Sequence, residues 1–250
     1  MNKYAAVILA AGKGTRMGGG VASDIPKVMY EIAGKPIIHY SVENIKQSGI
    51  DDIVLVVGYK NELIEEYFKN TVKYAVQEEQ LGTGHAVMAA KEMLAGKSEA
   101  VLVYYGDMPL FKTETIKKLI ETFEKEKPAI ALLSVNFDDP MHWAFGRIIR
   151  NEKGEVIDSI EQKDCTNGER KIKECNTCFY VFDSEWLWDN ISNLNQENAQ
   201  KEYYLTDLIK IAREQGKKII AIPVSGESEA LGINTEEQLK EAETVLTNRK

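Results

Sequence analysis

Cysteine and histidine are both scarce in this 250-residue chain, at three each. The thiols are Cys165, Cys175 and Cys178. An odd count in a chain that reads as cytoplasmic argues against a disulfide framework. Cys175-Asn176-Thr177-Cys178 has the spacing of half a zinc site, but no second pair exists, and His39, His85 and His142 are scattered, so free thiols are expected. No apolar run is long enough to span a membrane. The first such run breaks at Gly12-Lys13, too soon for a signal peptide, and a cytoplasmic protein is expected. Basic charge is also short: the net charge is -8 with no basic stripe, which argues against a nucleic-acid surface but not against nucleotides. Internal repeats, linkers and low-complexity segments are missing. So are two familiar phosphate-binding fingerprints. The dinucleotide pattern Gly-x-Gly-x-x-Gly fails at Met17, and the second strand ends in Gly58-Tyr59 without the required acid. Gly96-Lys97-Ser98 lacks the upstream glycine of a P-loop.

What is present is an ordinary globular composition, 44% hydrophobic and 28% charged, enough for one large or two small cores. β-Branched apolar runs at Tyr4–Leu9, Ile53–Val57, Val72–Val76 and Ala100–Tyr104 read as strands. They alternate with helical patterns at Pro36–Gln47, Glu62–Phe68, Gly84–Leu94 and Thr113–Glu124. The alternation predicts a Rossmann-like, doubly wound, mainly parallel sheet. Ala129–Val135 continues it. The pattern then changes. Phe145–Arg150 and Val156–Glu161 flank the hairpin signal Asn151-Glu152-Lys153-Gly154, and Phe179–Phe182 is another strand. Lys201–Gln215 reads as helix, Lys218–Ile222 as strand and Thr235–Leu246 as a closing helix. These features predict one α/β domain over 1–250: a nucleotide-binding part at about 1–135 and 218–250, with an inserted β-rich lobe at about 136–217.

Residues 9–31, LAAGKGTRMGGGVASDIPKVMYE, carry the most chemistry. Gly12 and Gly14 follow the first strand and offer free backbone amides that suit phosphates. Arg16 and Lys27 add two cations. Gly-x-Gly alone reads equally well as a turn. Ligands of open α/β sheets bind beyond the carboxyl ends of the strands. Asp107 lies there, in Tyr105-Gly106-Asp107-Met108-Pro109, and suits a hard metal or a turn. Gln77 and Gly82-Thr83-Gly84-His85 lie on the same side. Gln77 can read a base edge, and Gly82 permits close backbone approach. His85 reads as a base or as a structural residue at a helix start. Asn234 precedes Thr235-Glu236-Glu237 and reads as a metal ligand or as an N-cap with Glu237 completing a capping box. Glu161, Asn176, Tyr204 and Thr206 follow no spacing rule.

Taken together, LAAGKGTRM with SDIPKV resembles the signature of sugar-1-phosphate nucleotidyltransferases. EQLGTGHA (79–86), YGDMPL (105–110), FGRI (145–148) and NAQKEYYLTD (198–207) narrow the likeness. They resemble the uridylyltransferase domain of the bacterial bifunctional N-acetylglucosamine-1-phosphate uridyltransferase/glucosamine-1-phosphate acetyltransferase, from Tyr4 to about Leu239. The resemblance implies the nucleotide-diphospho-sugar transferase fold and residue roles. Leu9, Ala10, Ala11, Gly12, Gly14, Gln77, Gly82, Thr83, Tyr105 and Gly106 would hold the nucleotide. Arg16 and Lys27 would be catalytic, gripping phosphates. Asp107 and Asn234 would bind Mg²⁺. Gly146, Glu161, Asn176, Tyr204 and Thr206 would hold the sugar, and that lobe would be the sugar-binding one. The substrates implied are UTP and a sugar 1-phosphate, in a monomer or small homo-oligomer without nucleic-acid or membrane partners. Three other readings stay open: another hexose 1-phosphate or phospho-alcohol with UTP, dTTP or CTP, a silent UDP-sugar sensor, or a lid formed by Gly18–Gly20. No hexapeptide repeat precedes Lys250, so the acetyl-transferring β-helix and its trimer are not expected. The chain departs from the family at Gly18–Val21, at Met141–Ala144, at Phe145 (usually tyrosine) and at Cys178 (usually glycine).

Overall fold

The first strand, β1 (Asn2–Leu9), is buried on both faces, as its unbroken apolar run requires: Ala5, Ala6, Val7 and Ile8 are wholly inaccessible. It belongs to a computed structural model that describes residues 2–12, 14, 17, 24–141 and 144–249. A short hairpin of β2 (Glu31–Ile32) and β3 (Lys35–Pro36) leads into α1 (Ile37–Gln47). Then follow β4 (Ile53–Val57), α2 (Asn61–Phe68), β5 (Lys73–Val76), α3 (Thr83–Ala89), α4 (Lys91–Leu94), β6 (Ser98–Tyr105) and α5 (Thr113–Glu126). Later come β7 (Ile130–Asn136), β8 (Gly146–Arg150), β9 (Val156–Ile160), β10 (Glu174–Asp183) and α6 (Ser184–Asn190). The chain closes with α7 (Asp207–Glu214), β11 (Ile219–Pro223) and α8 (Glu236–Asn248).

The described residues form a nine-stranded sheet whose main path is β11-β7-β10-β6-β1-β4-β5. Pairing is parallel except where β10 runs antiparallel to β6, β7 and β8, and where β8 and β9 form an antiparallel hairpin. The mainly parallel α/β sheet expected from the alternation is therefore present. Helices cover both faces. α1 buries Ile37, Ile38, Val42 and Ile45 against one side. α6 and α7 bury Leu187, Leu208 and Ile209 against the other. Among the described residues no helix is long and apolar enough to cross a membrane.

The later segments are joined to the sheet through β10. Its carboxyl half pairs with β6 and β7, while Cys175 and Asn176 pair with Arg147 and Gly146 of β8. A register shift between Asn176 and Tyr180 separates the two halves, and Cys178 there has φ +60. The Asn176 side-chain oxygen accepts from the Cys178 N–H at 2.9 Å and holds that bend. Left-handed backbone favours glycine, which accounts physically for a glycine elsewhere in the family at this position.

Two expectations need correction. Residues 201–206 are not helical, and α7 begins only at Asp207. Lys201 has φ +54, and the Asn198 side chain ties the loop into itself, accepting from the Gln200 and Glu202 amides and donating to the Glu202 carbonyl at 2.6 Å. Side-chain bonds of this kind compete with helix formation. The strand expected at Phe179–Phe182 is also longer, because pairing with β8 and β7 extends it back to Glu174.

Candidate active site

Lys27, Asp107 and Asn234 meet beyond the carboxyl end of β6. The Lys27 ammonium pairs with Asp107 Oδ2 and donates to Asn234 Oδ1 at 2.9 Å. Three segments far apart in sequence produce this meeting, and each has a local cause. Lys27 opens a 3₁₀ turn after Pro26 and packs against Gly14, where a Cβ would lie 2.5 Å from Lys27 Cβ. Gly14, at φ +64, is thus the seat of the lysine. The Asp107 turn is held from α1: Ser41 Oγ donates to the Gly106 carbonyl at 3.1 Å, and Asn44 Nδ2 donates to the Phe111 carbonyl at 2.8 Å. The Ile233 N–H donates to the Asp107 carbonyl at 3.0 Å, which fixes the segment before α8, with Asn234, beside the aspartate.

Asn234 is not the cap of α8. The cap is Thr235, whose hydroxyl accepts from the Gln238 N–H at 3.2 Å. The box partner is Gln238, not Glu237, and Gln238 Oε1 accepts from the Asn234 N–H at 2.8 Å. With the cap one residue later, the Asn234 amide oxygen accepts from the Lys27 ammonium, which also pairs with Asp107. One carboxylate and one amide oxygen converge on a single cation, here the ammonium. Hard oxygen donors of this kind fit a small divalent ion. Among the described residues no group of three or more His, Cys, Asp or Glu forms a metal site.

These residues line one end of a cavity of about 360 Å³. Gly146, Glu161 and Tyr204 line it too, and so do Thr83 and Tyr105. The far end is acidic. Burial pushes the Glu161 carboxyl up to about 7, with Asp207, Asp164 and Glu202 adding repulsion, against a bond from Thr206. That bond runs from Thr206 Oγ1 to Glu161 Oε1 at 3.1 Å. Asp207 is itself pushed up to about 6, first by burial and then by Asp158. The Tyr204 hydroxyl donates to Asp164 at 3.1 Å. Cys178 lines the wall, and burial raises its thiol.

Two residues expected at the sugar stand behind this wall. Asn176 is wholly buried and donates to Ser159 Oγ at 2.9 Å and to the Tyr180 hydroxyl at 2.7 Å. Thr206 is buried and acts on Glu161. Phe145, Gln200 and Glu202, which lie in the FGRI and NAQKEYYLTD motifs, also line the cavity, as does Gln238, which carried no signal read from the sequence. The Asn198 motif that folds Gln200 and Glu202 inward was readable, because Asn repeatedly templates turns.

The remaining residues expected at the nucleotide gather at the ends of β1, β4, β5 and β6. The Ala10 N–H donates to the Val56 carbonyl at 2.8 Å, and the Gly106 N–H to the Leu9 carbonyl at 3.0 Å. Ala11 and the Gln77 carbonyl crowd Gly58, where a Cβ would lie 3.1 and 3.0 Å from them. Gly12 has open space about it. The Gln77 amide donates to the Gly82 carbonyl at 3.1 Å and meets His85 Nδ1 at 3.1 Å, so His85 braces Gln77. The close approach at Gly82 is to protein: its φ is +112, and a Cβ would lie 2.7 Å from the Tyr203 carbonyl oxygen. Thr83 Oγ1 accepts from the Leu205 N–H at 3.1 Å. Arg16 and Gly18–Gly20 lie outside the described residues.

Comparison with known proteins agrees with this architecture. Residues 6–177 match the model of the MobA-like NTP transferase domain. The bifunctional protein GlmU of Clostridium botulinum is 44% identical over 245 residues, covering 98% of this chain and 52% of that protein. The bifunctional protein GlmU of Geotalea uraniireducens is 43% identical over 251 residues, covering 100% of this chain and 54% of that protein. The chain thus spans about half the length of the curated relatives it matches. A crystal structure of UDP-glucose pyrophosphorylase complexed with UDP-glucose superposes with TM-score 0.83 at 21% identity, covering 100% of both chains, a likeness of fold. On its matched family and its motifs, the chain belongs to the MobA-like NTP transferase domain family.

Proposed function

We propose that this chain transfers the uridylyl group of UTP to N-acetylglucosamine 1-phosphate, forming UDP-N-acetylglucosamine and pyrophosphate. The observation that carries the reading is one cavity with Lys27, Asp107 and Asn234 at one end and Gly146, Glu161 and Tyr204 at the other. The similarity to GlmU proteins supports the choice of nucleotide and sugar.

An oxygen of the sugar phosphate attacks the α-phosphorus of UTP. A new P–O bond forms, the bond to the β-phosphate bridging oxygen breaks, and its electron pair leaves with pyrophosphate. The nucleophile is already an anion, so no general base is required. The barrier is repulsion between anions and the charge that builds on the leaving oxygens. Lys27 leaves its carboxylate partner and neutralises charge near the α-phosphate. Arg16 does the same for the departing pyrophosphate. Asp107 and Asn234 would hold Mg²⁺, which would supply charge neutralisation for the reacting phosphates. The loops at 9–12, 77 and 82–83 hold the uridine. Residues 1–135 and 218–250 act as the nucleotide half and 136–217 as the acceptor half, in a cytoplasmic monomer or small homo-oligomer.

Pyrophosphate release over a grid of nucleotides and phosphorylated acceptors tests this reading. The account expects the highest kcat/KM with UTP and N-acetylglucosamine 1-phosphate. A preference for dTTP or CTP, or for glucose 1-phosphate, would move the substrate assignment. UDP-sugar binding without turnover would replace catalysis by sensing.

A further inference from the structure

The capping box at the start of α8 departs from its usual form. In the usual form the fourth residue reaches back to the amide of the cap itself. Here Gln238 reaches one residue further and accepts from the N–H of Asn234, at 2.8 Å. Its own N–H is held by Thr235 Oγ1 at 3.2 Å, so the side chain springs from an anchored point on the helix. On the other side, the Ile233 N–H is fixed to the Asp107 carbonyl at 3.0 Å. The backbone of Asn234 is thus clamped between a strand-end turn and a helix start. Gln238 lines the same cavity as Asn234 and Asp107. With its oxygen committed to Asn234, its NH₂ group points elsewhere.

We propose that Gln238 is a positioning residue for Asn234. It keeps the Asn234 amide oxygen beside the Asp107 carboxylate and so sets the affinity of the pair for a divalent cation. The proposal rests on the reading of Asp107 and Asn234 as the ligands of that ion. It assigns Gln238 a role distinct from capping α8, which Thr235 performs. Partners that orient metal ligands from outside are typically worth about 10–100-fold in metal affinity.

The test is Mn²⁺ binding to the full chain, followed by the EPR signal of the free ion, with thermal melting beside it. Gln238→Ala is expected to weaken Mn²⁺ by about tenfold or more while the melting temperature stays near wild type. Gln238→Glu keeps an acceptor oxygen and restores most of the affinity. Thr235→Ala removes the cap, lowers the melting temperature and leaves Mn²⁺ affinity near wild type. In an Asn234→Ala background, Gln238→Ala adds nothing further, because its effect passes through Asn234. Wild-type Mn²⁺ affinity in Gln238→Ala, or a loss that persists undiminished in the Asn234→Ala background, overturns the proposal. Wild-type affinity in Asp107→Ala and Asn234→Ala sinks the metal reading itself, which is a separate outcome.

Discussion

The two ends of the cavity are built in opposite ways. At one end a cation sits between two oxygens, and each group is positioned by a strand end or a helix start: Lys27 on Gly14, Asp107 on α1, Asn234 on α8. At the other end Glu161 and Glu202 line the wall, with Asp164 and Asp207 near Glu161: burial first and then these acids raise Glu161, and burial first and then Asp158 raise Asp207. Loops and a hairpin assemble this second end by docking on the sheet, as where Tyr203 closes on Gly82. The first end is pre-arranged for phosphates. In the proposed reading the second would face the hydroxyl and amide groups of an acceptor, and burial favours the neutral form of Glu161.

Substitutions can break or sharpen that contrast. Lys27→Ala removes the cation of the first end, and kcat at saturating UTP is expected to fall about 10²–10³-fold. A change confined to KM would mean that Lys27 serves binding alone. Gly82→Ala strikes the docking of the second end. The new methyl meets backbone at a left-handed φ, so the melting temperature should drop by about 5 °C and the KM of UTP should rise together with that of the acceptor, since residues 82–83 also face the uridine in the proposed reading. Unchanged melting would show that the Tyr203 loop yields freely. Glu161→Gln should have the gentlest effect on stability, and that effect should appear only through pH. The native carboxyl titrates near 7 against an ordinary 4.5, so ionisation works against the fold as pH rises from 4.5 through 7. Gln carries no such cost. The variant should melt about 2–5 °C above wild type at pH 8 and level with it below pH 4.5. A gain at pH 4 and none at pH 8 would reverse the assignment.

Legibility followed the same division. Strand ends are where open α/β sheets bind ligands, so the position of Asp107 could be read from its run of apolar residues. The early strands fell close to expectation because their residues are buried on both faces and leave an unbroken apolar signature. Asn234 was ambiguous because two neighbouring residues can each cap a helix, and only the Thr235 bond to Gln238 resolves the choice. The acceptor end was opaque for a physical reason. Glu161, Tyr204 and Thr206 come together through tertiary contacts across about 40 residues, which no local period records. Asn176 illustrates the limit: the resemblance implied a sugar contact, yet its side chain donates to Ser159 and Tyr180 and accepts from the Cys178 N–H. The helix expected from Lys201 failed because Asn198 competes for the amides that would have started it.

The central claim is that Asp107, facing Lys27 and Asn234, makes phosphate groups able to approach and react. Its most direct test is the rate of pyrophosphate release by Asp107→Ala with saturating UTP, N-acetylglucosamine 1-phosphate and Mg²⁺. The account predicts a fall in kcat of about 10² or more. Turnover close to that of the unaltered chain would contradict it.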